Sequence, residues 1–193
     1  MGDKLSDSKR FYSTEELYKI GISYYQIKQM VSRGQLKKLN KSMYENTGFI
    51  GEINDFSTVH AYIPSGIVAM LSAARYYELT TYLPDAVDVA IIRSKRVTTM
   101  PLMPSVYLWY FSEKRYSTGV TELKDSGSVI RIYDIEKTVV DILYYRNKVG
   151  IEETKEILIN YLKRPDRDLN KLHKYARSLG CEKILSTYME VLL

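Results

Sequence analysis

Cysteine is almost missing from this 193-residue chain: Cys181 stands alone, so no internal disulfide framework can hold the fold. Histidine is equally scarce, and His60 and His173 with a single cysteine cannot complete a structural zinc site. Both histidines stand alone in helical patterns, without the Ser/Asp or Cys partner that nucleophilic catalysis requires. No apolar run approaches the length that spans a bilayer, and the opening residues are polar and charged rather than a signal core. Gly48 and Gly51 lack the lysine and the strand context of a phosphate loop. There is also no internal repeat, low-complexity tract or sustained heptad. These absences point to a reduced, cytoplasmic protein away from the membrane, with no cofactor or metal. Its length allows one medium domain or two small ones.

What is present begins at residues 13–45. Ser13 with Glu16, and Ser23 with Gln26, are two capping boxes, each a hydroxyl placed three residues ahead of a side chain that can reach back. Gly21 and Gly34 stand where each helix would close in a left-handed residue. Two capped helices on one tight turn form a helix-turn-helix pattern. In the second helix Ile27, Met30 and Val31 share a face that can pack on Leu17 and Ile20 of the first. Tyr25, Lys28, Gln29 and Ser32 share another, able to donate to phosphates or base edges. Gln35–Leu39 and Met43–Glu45 read as two short strands around Asn40-Lys41-Ser42, with Lys37, Lys38 and Lys41 at or near the tip. Together these read as a winged helix-turn-helix, its second helix in the major groove and its wing on the backbone. Charge agrees: residues 1–45 hold nine Lys/Arg against five acids, most of the net +5 of the whole chain. Lys4, Lys9 and Arg10 precede the first helix and could track DNA as an arm, although a frayed terminus is the simpler expectation. Tyrosine is abundant at 18 residues, mostly as core or rim packing.

Residues 46–54 read as a linker, dividing the chain into a DNA-binding domain at 1–54 and an α/β domain at 55–193 with a helical end. Asp55 caps a helix through Tyr62. Ser65 caps the next, which buries Ile67, Leu71 and Ala74. Val87, Val89 and Ile91 alternate with Asp88 and Ala90 as a half-buried strand, followed by Arg93, Lys95 and Arg96 on a basic loop that can touch phosphate. Val106–Phe111 is an aromatic strand. Gly119–Lys124 and Val129–Tyr133 form a hairpin turning at 125–128. Asp134 then caps a long helix through Lys148, and helices over 152–163, 168–179 and 182–193 follow, the last burying Ile184, Leu185, Tyr188 and Leu192. The fold class is mixed α/β (α+β).

A nuclease is the rival reading. Pro84-Asp85 before a strand, with Glu122 and Lys124 on one side of a later one, imitate a PD…ExK metal site. Asp134, Glu136 and Asp141 are a second set of carboxylates, better explained by capping and surface solvation because 134 and 136 diverge on a helix.

The stretch 133–150, YDIEKTVVDILYYRNKVG, follows GVTELKDSGSVIRI. Upstream lie PSGIVAMLSAARYYELT at 64–80 and VDVAIIRSKR; downstream lie DLNKLHKYARSLG at 168–180 and KILSTYMEVLL. With the amino-terminal module, these segments resemble the AbiEi family of abortive-infection proteins, antitoxins of type IV toxin–antitoxin systems in phage defence. The resemblance runs from about Ser13 to Leu193. It implies a transcriptional autorepressor, not an enzyme, that binds inverted repeats in its own promoter. It also implies that the carboxy-terminal domain counteracts a nucleotidyltransferase-like toxin, AbiEii, without a stable complex. Carried onto this chain, the resemblance gives Thr14, Ser23, Tyr25, Lys28 and Gln29, with Lys37, Lys38 and Lys41 on the wing, as DNA contacts. Arg93, Lys95 and Arg96 are secondary contacts, and Lys137, Arg146 and Lys148 would form a carboxy-terminal basic surface. Asn40–Ser42 departs from the family's usual wing tip, where a basic residue is followed by glycine.

Overall fold

A computed structural model describes residues 5–125 and 128–192. Lys4 and the centre of the turn expected at 125–128 lie outside the described residues, and so does the Leu192 side chain. The fold is mixed α/β, with a three-stranded and a five-stranded sheet. Two compact units form: residues 1–65 with 97–104 and 123–130, and residues 66–96 with 105–122 and 131–193.

The first unit contains β1 (Phe11–Ser13), α1 (Thr14–Lys19), α2 (Tyr24–Ser32), β2 (Leu36–Lys38), β3 (Met43–Asn46) and α3 (Asp55–Tyr62). β3 lies between β1 and β2, antiparallel to both, with Tyr12 opposite Tyr44 and Lys37 opposite Glu45. Tyr12, Leu17, Ile22, Ile27, Leu36 and Tyr44 make its core. Ile22 takes the place expected for Ile20, which is 41% exposed; one residue past the Gly21 turn, the chain re-enters on the other side. Residues 5–10 are docked rather than frayed: the Asn46 side chain donates to Ser6 O and Lys9 O, and Ile50 N donates to Asp7 O. Residues 46–54 thus carry structure of their own within this unit. Asn54, not Asp55, caps α3, its carboxamide oxygen accepting from Phe56 N and Ser57 N.

The second unit contains β4 (Ile67–Val68), α4 (Met70–Tyr76), β5 (Val87–Ile92), β6 (Val106–Phe111), α5 (Glu113–Ser117), the parts outside 123–130 of the hairpin strands β7 (Val120–Asp125) and β8 (Ser128–Tyr133), then α6 (Ile135–Tyr144), α7 (Arg146–Val149), α8 (Ile151–Lys163), α9 (Leu169–Ser178) and α10 (Glu182–Leu192). The sheet runs β6-β5-β4-β8-β7, with β5 antiparallel to β4 but parallel to β6, and β4 parallel to β8.

Ile67 and Val68 therefore form the central strand, not the start of a helix, as suits β-branched residues covered on both faces. The helix begins only at Met70, whose φ of +50° places a buried side chain in the left-handed region. Ala69 offers no side-chain cap, and Asp88 on β5 supplies one across the sheet: its Oδ2 accepts from Ser72 N at 3.2 Å, while Ser72 Oγ accepts from Asp88 N at 2.8 Å. Burial pushes the Asp88 carboxyl above its ordinary range, against the hydrogen bonds from Trp109 and Ser72. β5 is accordingly buried on both faces, not half-buried.

Helix α6 is the axis of this unit, with every residue from Glu136 to Leu143 buried. It ends at Tyr144, and the expected run through Lys148 is split into α6 and the single turn α7. α8, α9 and α10 pack Ile157, Leu158, Tyr161, Leu172, Ala176 and Leu185 into the same core. Leu169 is 37% exposed in the first turn of α9.

Candidate nucleic-acid interface

Both capping boxes close. Ser13 Oγ accepts from Glu16 N while the Glu16 carboxylate accepts from Ser13 N; Ser23 and Gln26 repeat the exchange. Burial would raise the Glu16 carboxyl, but the Lys9 ammonium at 2.6 Å and the Ser13 amide outweigh it and hold it below the ordinary value. Gly21 and Gly34 carry φ of +77° and +72°, the left-handed closures that their positions imply. No heavy atom would crowd a Cβ at Gly34, so its requirement is conformational alone.

With its ends fixed, α2 buries Ile27, half-buries Met30 and Val31, and turns the opposite side outward. Tyr25 is 69% exposed, Lys28 and Ser32 are exposed, and Gln29 is half-buried. Ser23 is exposed with its oxygen already accepting, which leaves its proton to donate. Ser32 commits its proton to Gln29 O at 2.9 Å, and half-buried Thr14 commits its own to Ser42 O at 3.2 Å; both retain oxygen lone pairs. Tyr24 also belongs to this surface and was not foreseen. It is 57% exposed, with the Lys28 ammonium 4.8 Å from its ring centre. The i, i+4 spacing of Tyr24 and Lys28 is the signal that could have disclosed it.

The β2–β3 hairpin presents Lys37, Lys38 and Lys41 to solvent. Lys37 lies 4.0 Å from Glu45; no ion pair forms at Lys28, Lys38 or Lys41 among the described residues. Asn40 explains the unusual tip. Its Oδ1 accepts from Ser42 N and Met43 N, folding the turn, and its Nδ2 donates to Ala61 O and Tyr62 O at the end of α3. A basic residue here would leave those carbonyls without that donor. Lys9 and Arg10 are drawn inward instead: Lys9 meets Glu16, while Arg10 joins Glu45 and Thr58 Oγ1.

Arg93, Lys95 and Arg96 are exposed on the loop after β5, in the second unit. The expected carboxy-terminal basic surface is not formed as such. Lys137 is wholly buried, its ammonium on Asp141 and 3.9 Å from the Tyr133 ring centre. Arg146 is half-buried and donates to Leu143 O, which leaves Lys148 as the exposed cation of the three. The Lys137–Asp141 spacing of four, inside an apolar stripe, is the feature that marks a buried pair rather than a solvated face.

Asp141 and Glu136 are likewise buried rather than solvated. Asp141 also receives Arg115, and Lys171 bridges Glu136 and Asp134 at 3.0 and 3.2 Å. Asp134 is the helix cap expected of it, accepting from Lys137 N. Of the nuclease pattern, Asp85 precedes β5 while Glu122 lies on β7, three strand spacings away across the sheet. That is about 14 Å, beyond the reach of one metal's ligands.

No family model matches this chain, and no curated protein matches it. Among solved structures, the crystal structure of the RV2827C protein from Mycobacterium tuberculosis aligns over 96% of this chain and 76% of that one, at 15% identity and a TM-score of 0.45. A likeness at that level carries no argument about function. Among the described residues, no helix is long and apolar enough to cross a membrane.

Proposed function

We propose that the chain is a cytoplasmic DNA-binding autorepressor and antitoxin of the type IV kind, without catalytic activity. In this reading, α1, α2 and the β2–β3 hairpin act as a winged helix-turn-helix on inverted repeats of the protein's own promoter. α2 enters the major groove, where Tyr25, Gln29 and Ser23 meet base edges. Lys28, Lys37, Lys38 and Lys41 neutralise phosphates, and Arg93, Lys95, Arg96 and Lys148 are additional phosphate contacts. The antitoxin half of the proposal, counteraction of a nucleotidyltransferase-like toxin without a stable complex, rests on the family resemblance of residues 133–150.

One observation supports the DNA reading above others: the outward side of α2 is polar, cationic and uncovered, with Tyr25 69% exposed, while the helix is rigidly capped at its start. A structural helix of nine residues gains nothing from leaving two adjacent tyrosines and a lysine in water. The deciding experiment is a gel shift on the DNA upstream of the gene, repeated across salt concentrations. Specific retardation whose log K falls linearly with log salt is expected, with a slope of about −0.9 per phosphate neutralised. Failure to retard that DNA, or a flat salt dependence, would refute the reading.

A further inference from the structure

The second unit gathers aromatic rings at one open edge of its sheet, and the function proposed above does not use them. β6 is an edge strand, neighboured among the described residues only by β5. Strand alternation turns Tyr107, Trp109 and Phe111 to one face. From the core outward Phe111 is buried, Trp109 half-buried and Tyr107 52% exposed. Trp109 lies 5.2 Å from Tyr107 and 5.2 Å from half-buried Tyr145, which meets Tyr144, 43% exposed, at 4.9 Å. Four rings thus form one connected row that begins and ends in solvent.

The row is held in place. Trp109 Nε1 donates to Asp88 Oδ1 at 2.8 Å, and the other oxygen of that carboxylate caps α4, so an indole that swung away would leave a buried carboxylate oxygen without this donor. Cations flank it: the Lys148 ammonium is 5.9 Å from the Trp109 ring centre, and Arg93 is tied by its backbone to Phe111 O at 2.9 Å. Neither cation has a carboxylate partner among the described residues. An aliphatic protein partner would be met by branched apolar side chains, whereas this edge offers flat rings beside positive charge, with one face of Tyr145 packed on Phe111 and one of Tyr144 on Arg115. The complementary ligand is negatively charged and carries flat rings that are free to stack. A duplex does not qualify, since its bases are already stacked inside it.

We propose that the edge formed by Tyr107, Trp109, Tyr145 and Tyr144, with Lys148 and Arg93, binds single-stranded nucleic acid by stacking unpaired bases. The proposal does not rest on duplex recognition by the first unit, although Lys148 and Arg93 serve as additional phosphate contacts in that reading. Trp109 is the sole tryptophan of the chain, so its fluorescence reports this edge directly. The full-length protein would be titrated with oligo-dT, oligo-U and an abasic sugar-phosphate strand of equal length at one ionic strength. Saturable quenching by the two base-bearing strands is expected, and little from the abasic strand. Tyr107→Ala should weaken binding roughly tenfold, the loss of one stacked base. Lys148→Ala should reduce the salt slope by about one. Both side chains are exposed, and an unchanged circular dichroism spectrum verifies folding. No quenching by either base-bearing strand, equal quenching by the abasic strand, or indifference to both substitutions would overturn the proposal. Lys28→Ala should leave this signal untouched while it impairs duplex retardation, which separates the two readings.

Discussion

Asp141 lies at the centre of the second unit, compensating two buried cations. Arg115 reaches it at 2.6 Å and is 6% exposed; Lys137 shares the other oxygen and is 0% exposed. Two cations against one carboxylate leave a surplus positive charge, spread onto aromatic faces: Arg115 lies 3.8 Å from the Tyr144 ring centre and Lys137 is 3.9 Å from that of Tyr133. Asp141→Asn would leave both cations buried without an anion and should cost about 3–5 kcal/mol, a large share of the roughly 5–15 kcal/mol that a domain commands. Lys137→Met should behave differently. It removes the surplus charge, keeps the Arg115–Asp141 pair and fills the same buried space with a flexible apolar chain, so its effect should stay within about 1.5 kcal/mol of zero. Urea unfolding followed by Trp109 fluorescence reads this unit. Burial depresses the Lys137 amine more than Asp141 restores it, leaving it below its ordinary 10.5. Between its folded value and 10.5 this site binds more protons in the unfolded chain, so the stability of the wild type relative to Lys137→Met should rise with pH there. Equal losses from Asp141→Asn and Lys137→Met would refute the view that the cluster is held by one anion serving two cations.

Other perturbations separate the faces of the first unit. Ile27→Ala should destabilise it by about 2–5 kcal/mol, whereas Lys28→Ala and Gln29→Ala should weaken gel-shift retardation with nearly unchanged melting; equal melting losses would reject the face assignment. Glu16, held below its ordinary 4.5, contributes stability fully above that value and loses it as pH falls through the folded value. The melting difference between wild type and Glu16→Gln should therefore close in acid. Asn40→Ala should cost about 1–3 kcal/mol by removing the donor to the Ala61 carbonyl and loosening the hairpin, measurable by amide exchange at Ser42 and Met43.

Local chemistry was legible in the chain itself. Both capping boxes, the two glycine closures, the β2–β3 hairpin and the carboxy-terminal helices follow from neighbours within about four residues, where spacing alone dictates which atoms meet. The outward face of α2 follows from the same periodicity, although Tyr24 lies one position outside the Tyr25–Ser32 stripe and joins the face through Lys28. What failed involved partners far apart in sequence. Ile67-Val68 can begin a helix in isolation, and becomes the central strand only because β5 and β8 close on either side. Asp88 alternates like a solvent-facing residue, yet tertiary folding delivers it to the uncapped start of α4.

Lys137 marks the same boundary most sharply. Read along the chain, it is a helical lysine with a place on a basic surface; in the folded unit it is sealed between Asp141 and two rings. Sequence by itself determined where helices start and stop, because capping and periodicity are short-range interactions. Only the tertiary structure decided which charges leave water, because the cost of burying an ion depends on the partners that the rest of the chain brings to it.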